Sequence, residues 1–173
     1  NGIAVISGLA IGCDTGGHRG CLAGGGITVA ALPCGLDRIY PKNNSSLAEE
    51  IIESGGALIS EYPIETTPNR NYFVERDRLQ SGLSKAVIVI ETRVKGGTMH
   101  TAGFAQKQER ILACMDRASD EDWIDGVLGG NQYLIKEKGA FPLRNQLDLT
   151  KLIAMVTNGV NSTNRKDIAS IPK

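Results

Sequence analysis

The sequence predicts an α/β fold, an open and mostly parallel sheet with helices on both faces. Three observations carry this. Short apolar runs alternate along the chain with longer amphipathic segments of helical period. The 21 glycines supply the tight loops that such alternation needs. Ala86-Val87-Ile88-Val89-Ile90 is uniformly apolar, as expected of a parallel strand buried on both faces.

The elements follow in order. Ile3 to Ile6 is a short apolar run ending in Ser7-Gly8 and reads as a strand. Asp14 is placed to cap a helix from Thr15 to Ala23, closed by Gly24-Gly25-Gly26. Ile27 to Leu32 is a second strand, and Pro33, Gly35 and Pro41 mark the irregular loop after it. A helix starts at Ser45 or Ser46, carries Leu47, Ala48, Ile51 and Ile52 on one side, and ends at Gly55-Gly56. Ala57 to Ser60 is a third strand. A loop rich in Pro and Thr runs from Glu61 to Asn69 and leads into an arginine-rich helix.

After the Ala86–Ile90 strand, Lys95-Gly96-Gly97-Thr98 turns into a helix from Met99 to Glu109. Ile111 to Cys114 is another strand. Met115 to Gly130 reads as a loop holding the single tryptophan, Trp123. A short helix over Gln132–Lys138, an edge strand over Ala140–Leu143 and a helix over Leu147–Val156 complete the pattern. Residues 158–173 are polar and aperiodic and read as a tail, leaving residues 1–157 as one domain. The chain begins inside a strand and without Met, which reads as a segment cut from a longer sequence.

Composition narrows the function. With 19 basic and 19 acidic residues the formal charge is zero, so a polyanion site must be a local patch rather than a global field. Cys13, Cys21, Cys34 and Cys114 form no C-x-x-C pair. They read as buried or half-buried free thiols of a reducing cytoplasm, and no metal-ligand cluster is indicated. Cys34 is the best candidate for a reactive thiol. No secretory signal and no apolar run near membrane-spanning length is present. His18 and His100 have no orienting carboxylate beside them in sequence, so no nucleophile–base pair is readable and no cofactor is implied.

Ligands of open parallel sheets bind beyond the carboxyl ends of the strands. Ser7-Gly8 opens a glycine-bearing loop before a helix, where backbone N–H groups can meet an anion. Lys95, Gly96, Gly97 and Thr98 form a second such turn, with a charge and a hydroxyl added; its alternative is a plain turn capped by Thr98. Lys42 and Arg38 border the Tyr40-Pro41 bend. Phe73 and Arg76 are three apart on one helical face, with Arg70 three residues before. A flat hydrophobe beside guanidinium groups suits stacking a base and holding its phosphates. Equally, Phe73 reads as a core residue and the arginines as surface partners of Glu75 and Asp77.

Four ordered blocks resemble the DNA-processing protein A family (DprA/Smf). They are Ser7-Gly8-Leu9-Ala10 through Gly12, Asp14, His18 and Arg19; Gly35-Leu36-Asp37 with Ile39-Tyr40-Pro41 and Asn44; Phe73 with Arg76, Arg78 and Ser81 to Ser84; and Glu91 with Gly96 and Thr101-Ala102. Gly130-Asn131, Leu134-Ile135 and Gly139-Ala140 extend the likeness, which runs from Ile3 to Ala140. The resemblance implies an extended Rossmann-like fold with its first strand missing here. It also implies a cytoplasmic, non-catalytic, homodimeric protein that binds and protects single-stranded DNA and helps load the RecA recombinase in natural transformation. By position, Phe73 would stack on a base while Arg70 and Arg76 contact phosphates; Lys42 and Lys95 are added from charge and loop placement. Asp77 stands where the family usually has Asn, and Lys95-Gly96-Gly97-Thr98 replaces its commoner Ser-Gly-Ser or Ser-Gly-Ala turn. The alternative is a nucleotide-binding protein or a phosphoribohydrolase-like enzyme, for which Glu91 is the candidate carboxylate near the ribose.

Overall fold

The computed structural model describes residues 2–116 and 129–158. Trp123, most of the loop around it and the expected 158–173 tail beyond Asn158 lie outside the described residues. The chain divides into two compact units, Asn1–Leu83 and Ser84–Lys173. Each holds a three-stranded, all-parallel sheet with helices between the strands. The α/β class and the parallel pairing are as the sequence predicts.

In the first unit, β1 (Val5–Ser7), β2 (Thr28–Ala31) and β3 (Ala57–Ile59) lie in that order, with Val5 opposite Thr28 and Ala31 opposite Ile59. Helices α1 (Cys13–Ala23) and α2 (Ser45–Glu53) are the β–α–β crossovers. Leu22 of α1 and Leu47, Ala48 and Ile51 of α2 pack with Leu9, Ala30, Leu32 and Cys34 into one core. Helix α3 (Arg70–Gly82) follows β3. The Asn69 side chain caps it, accepting from the N–H groups of Asn71 and Tyr72.

In the second unit, β4 (Ala86–Val89), β5 (Ile111–Met115) and β6 (Phe141–Leu143) pair in chain order. Helices α4 (Thr98–Lys107), α5 (Gly129–Lys138) and α6 (Gln146–Thr157) flank them. Leu112 and Cys114 pack against Ala102, Ala105 and Leu134, whereas Ile111 and Ala113 pack against Leu152 and Met155. The period of two along β5 thus feeds separate cores on its two faces. The strand buried on both faces is β5. On β4, expected in that role, Ile88 is 43% exposed while Val89 is buried.

One buried side chain couples elements of the first unit. The Thr28 hydroxyl donates to Val5 O at 2.8 Å, so it can only accept from His18 Nδ1, 2.7 Å away. That fixes the Nδ1–H tautomer and leaves Nε2 a buried acceptor without a hydrogen bond. Burial lowers the His18 pKa below 6.5, against the opposing pull of Asp14. Folding therefore favours the neutral ring, and the unfolded chain takes up a proton more readily. Stability is full above about pH 6.5 and falls as the pH drops below it. Urea titrations between about pH 7.5 and 5.5 should show the midpoint falling with acid, and the fall should be much reduced in His18→Gln.

Candidate functional site

The loop after β1 is where the expected anion site meets the structure. Ser7 Oγ donates to Asp14 Oδ1 at 2.6 Å, and the N–H groups of Gly8 and Ala10 donate to Asp14 Oδ2, each at 3.1 Å. The donors expected to hold a phosphate already hold a carboxylate of the same chain. Asp14 is therefore no helix cap: it lies in the first turn of α1, whose N-cap is Gly12, and folds back to fill the loop. Ser7 and Gly8 serve here as supports of the loop rather than as open anion donors.

The carbonyls of that loop are occupied as well. Gly8 O accepts from Arg76 Nη1 at 2.8 Å, and Leu9 O accepts from Asn44 Nδ2 at 2.7 Å. Ala10 O accepts from both the N–H and the hydroxyl of Thr15. Leu9 is fully buried at φ 61°, a conformation L-residues adopt at a cost, and these bonds hold it there.

Arg76 is the second departure from expectation. It is 4% exposed, and Nη1 also donates to Ala31 O at the end of β2. The Asp77 carboxylate lies 3.4 Å from its Nε. Burial lowers its pKa, while Asp77 and Asp14 act the other way. Its guanidinium is turned inward as a clamp between α3 and two backbone segments, away from the expected phosphate contact. Gly8 is what admits it: a Cβ at that position would come within 2.2 Å of Nη1.

Phe73 sits one turn before the clamp and is half-buried, neither a full core residue nor a free platform. Arg76 Cζ lies 5.9 Å from its ring centre, within cation–π reach. The Tyr40 ring stands 5.5 Å away, turned by 68°. Arg70 opens α3 and is exposed, as is Lys42, two residues after Tyr40. Neither makes an ion pair with any described residue. Elsewhere on α3, Arg78 pairs with Glu61 and the Tyr62 hydroxyl donates to Glu75 at 2.8 Å, tying the helix to the preceding loop.

Lys95, Gly96, Gly97 and Thr98 belong to the second unit. Gly96 N–H donates to Arg93 O, and a Cβ on Gly96 would come within 2.5 Å of Thr92 Oγ1, so the turn requires glycine. Thr98 is the first residue of α4 and gives no side-chain cap; the N-cap position is Gly97. Lys95, Gly97 and Thr98 are exposed. Buried Asn131 supports this region: its Nδ2 donates to Ile90 O and Met115 O, and its Oδ1 accepts from Thr92 N–H.

Sequence reasoning passed over the roles of Asn44 and Asn131 as buried staples and of Tyr40 as the neighbour of Phe73. The blocks that contain them were the available signal. Cys34, the candidate reactive thiol, is fully buried, and burial pushes its pKa up, against thiolate chemistry. Cys13 is exposed rather than buried. Among the described residues no group of side chains could hold a metal ion, and no helix is long and apolar enough to cross a membrane.

The clamp generates a stability prediction. Arg76→Ala should destabilise the chain by about 3 kcal/mol, since two buried carbonyls lose a charged donor. Gly8→Ala should cost about 1–3 kcal/mol through overpacking. In the Arg76→Ala background the Gly8→Ala cost should largely vanish, a non-additivity that a double-mutant cycle in urea reads directly.

Comparison with known proteins follows the same lines. Residues 1–154 match the family model described as DNA recombination-mediator protein A. Protein Smf of a Synechocystis species is 36% identical over 88% of this chain and 41% of its own length. DNA processing protein DprA of Streptococcus pneumoniae is 34% identical over 79% of this chain and 47% of its own. The chain thus spans under half the length of these curated relatives. Among solved structures, S. pneumoniae DprA superposes with a TM-score of 0.73 at 31% identity, covering 86% of this chain and 50% of that one. DNA processing protein A of Helicobacter pylori, described for its single-stranded DNA binding mode, gives 0.72 at 29% identity, covering 87% and 66%. The parallel α/β units, the loop blocks and these matches together place the chain in the DNA recombination-mediator protein A family, the DprA/Smf proteins.

Proposed function

We propose that this chain is a single-stranded DNA-binding domain of a cytoplasmic DNA-processing protein. In this reading it protects DNA strands, assists loading of the RecA recombinase during DNA uptake, acts as a homodimer and performs no catalysis. The observation that carries it is the outer edge of α3. There an exposed Arg70 and a half-buried Phe73 share a helical face that the Arg76 clamp holds in place. Lys42 adds a second exposed cation beyond Tyr40. With zero net charge the molecule has no long-range field for DNA, so affinity rests on such local cations and on stacking. The H. pylori relative, described as binding single-stranded DNA, supports the same assignment. The exposed Lys95–Thr98 turn is the phosphate-contact candidate of the second unit.

Fluorescence anisotropy of labelled oligo-dT across a salt series tests this reading. Affinity should fall as salt rises, and Arg70→Ala or Lys42→Ala should each flatten the log–log slope by about 0.7 per lost phosphate contact. Phe73→Ala should lose about 1–3 kcal/mol of binding, the value of one stacked base. Salt-independent binding, or binding untouched by all three substitutions, would remove the assignment. Turnover of nucleoside monophosphates to free base would replace it with the enzyme reading.

A further inference from the structure

Tyr40 stands out among the exposed large side chains. It is 45% exposed, and its hydroxyl makes no hydrogen bond to any described residue. Large aromatic rings are normally buried, and a Tyr hydroxyl left in water is one available to a ligand. Its backbone is firmly held. Four residues later, buried Asn44 bonds to Leu9 O and to Thr15 Oγ1, at 2.7 and 2.9 Å. Two residues earlier, Arg38 N–H donates to Gly35 O. Behind these, Gly35 N–H donates to Thr66 O, and Asp37 Oδ1 accepts from Glu65 N–H at 2.8 Å. The ring is therefore displayed by a loop fixed at both ends, the arrangement that lowers the entropy cost of binding.

The direction in which it is displayed matters. Tyr40 and Phe73 meet at 5.5 Å and 68°, so their rings form a corner rather than a continuous stack. Exposed Lys42 is two residues from one wall of this corner, and exposed Arg70 is one helical turn from the other. An apolar corner with two exposed cations close by in sequence suits a flat, uncharged ring linked to a phosphate on either side. Those are the features of one nucleotide within a strand.

We propose that Tyr40 is a second base-contacting residue, so that one nucleobase lies with its face on Phe73 and its edge against Tyr40. This deepens the single-stranded DNA reading and rests on it. The base is held by two walls. The site therefore excludes a base that stays stacked in a duplex, and binding depends on the base itself as well as on the backbone.

The test compares oligo-dT with an abasic oligonucleotide of equal length, against the parent, Tyr40→Ala, Tyr40→Phe and Phe73→Ala. Tyr40→Ala should weaken oligo-dT binding about 5-fold or more, the lower end of one aromatic–base contact. It should leave abasic binding unchanged, because the phosphate contacts remain. Tyr40→Phe, which keeps the ring, should stay near the parent. Equal weakening on both oligonucleotides would make Tyr40 a loop support and overturn the proposal. Parent-like dT binding by Tyr40→Ala, while Phe73→Ala is weakened, would overturn it and leave the DNA reading standing. No DNA binding by the parent would overturn both.

Discussion

The buried guanidinium of Arg76 is the contact on which the rest of the first unit depends. Its counter-ion is the largely buried Asp77, whose carboxylate lies 3.4 Å from Nε. Such burial is tolerated where the donors meet good acceptors, and here Nη1 meets the carbonyls of Gly8 and Ala31. These acceptors belong to the loop after β1 and the end of β2, so one side chain on α3 ties a helix to two strand ends. The backbone must approach closely for this, and glycine at position 8 permits it. Anchored through Arg76, α3 presents Phe73 and Arg70 from its first turns at a set position on this unit.

The same saturation explains why the glycine loop is not an anion cradle. Backbone polar groups removed from water need partners. In Ser7–Ala10 they find Asp14, Arg76, Asn44 and Thr15. The loop carries its own anion in Asp14, so a DNA phosphate there would face a carboxylate. Recognition of a polyanion then falls to side chains on the rim. On the second unit, Asn131 does for the ends of β4 and β5 what Asn44 and Arg76 do for the first: it pairs carbonyls and an N–H that the strands leave open.

Much of this was legible in the sequence. Apolar runs and glycine punctuation locate the strands and helices to within a residue or two, because parallel β–α repeats impose both signals; the exception is α5, which starts at Gly129 rather than Gln132. Three features resisted. An arginine beside an aromatic reads the same whether its guanidinium faces water or backbone; only the bonds to Gly8 O and Ala31 O show the direction of Arg76. Asp14 before a helix reads as a cap, yet its carboxylate reaches back to the loop rather than forward to α1. The apolar β4 and β5 look alike in sequence, but Ile88 of β4 is 43% exposed whereas Ile111 to Cys114 of β5 are all buried, and that is a property of the assembled layers.

Arginine-selective nitrogen NMR during titration with oligo-dT tests the division of labour on α3 most directly. The account predicts that the Arg70 Nε–H resonance shifts with added DNA, while the Arg76 guanidinium protons stay in slow exchange with solvent and hold their positions. A DNA-dependent shift at Arg76 with Arg70 unmoved would contradict it. The clamp would then be the phosphate contact, and the exposed edge of α3 would not be the binding face.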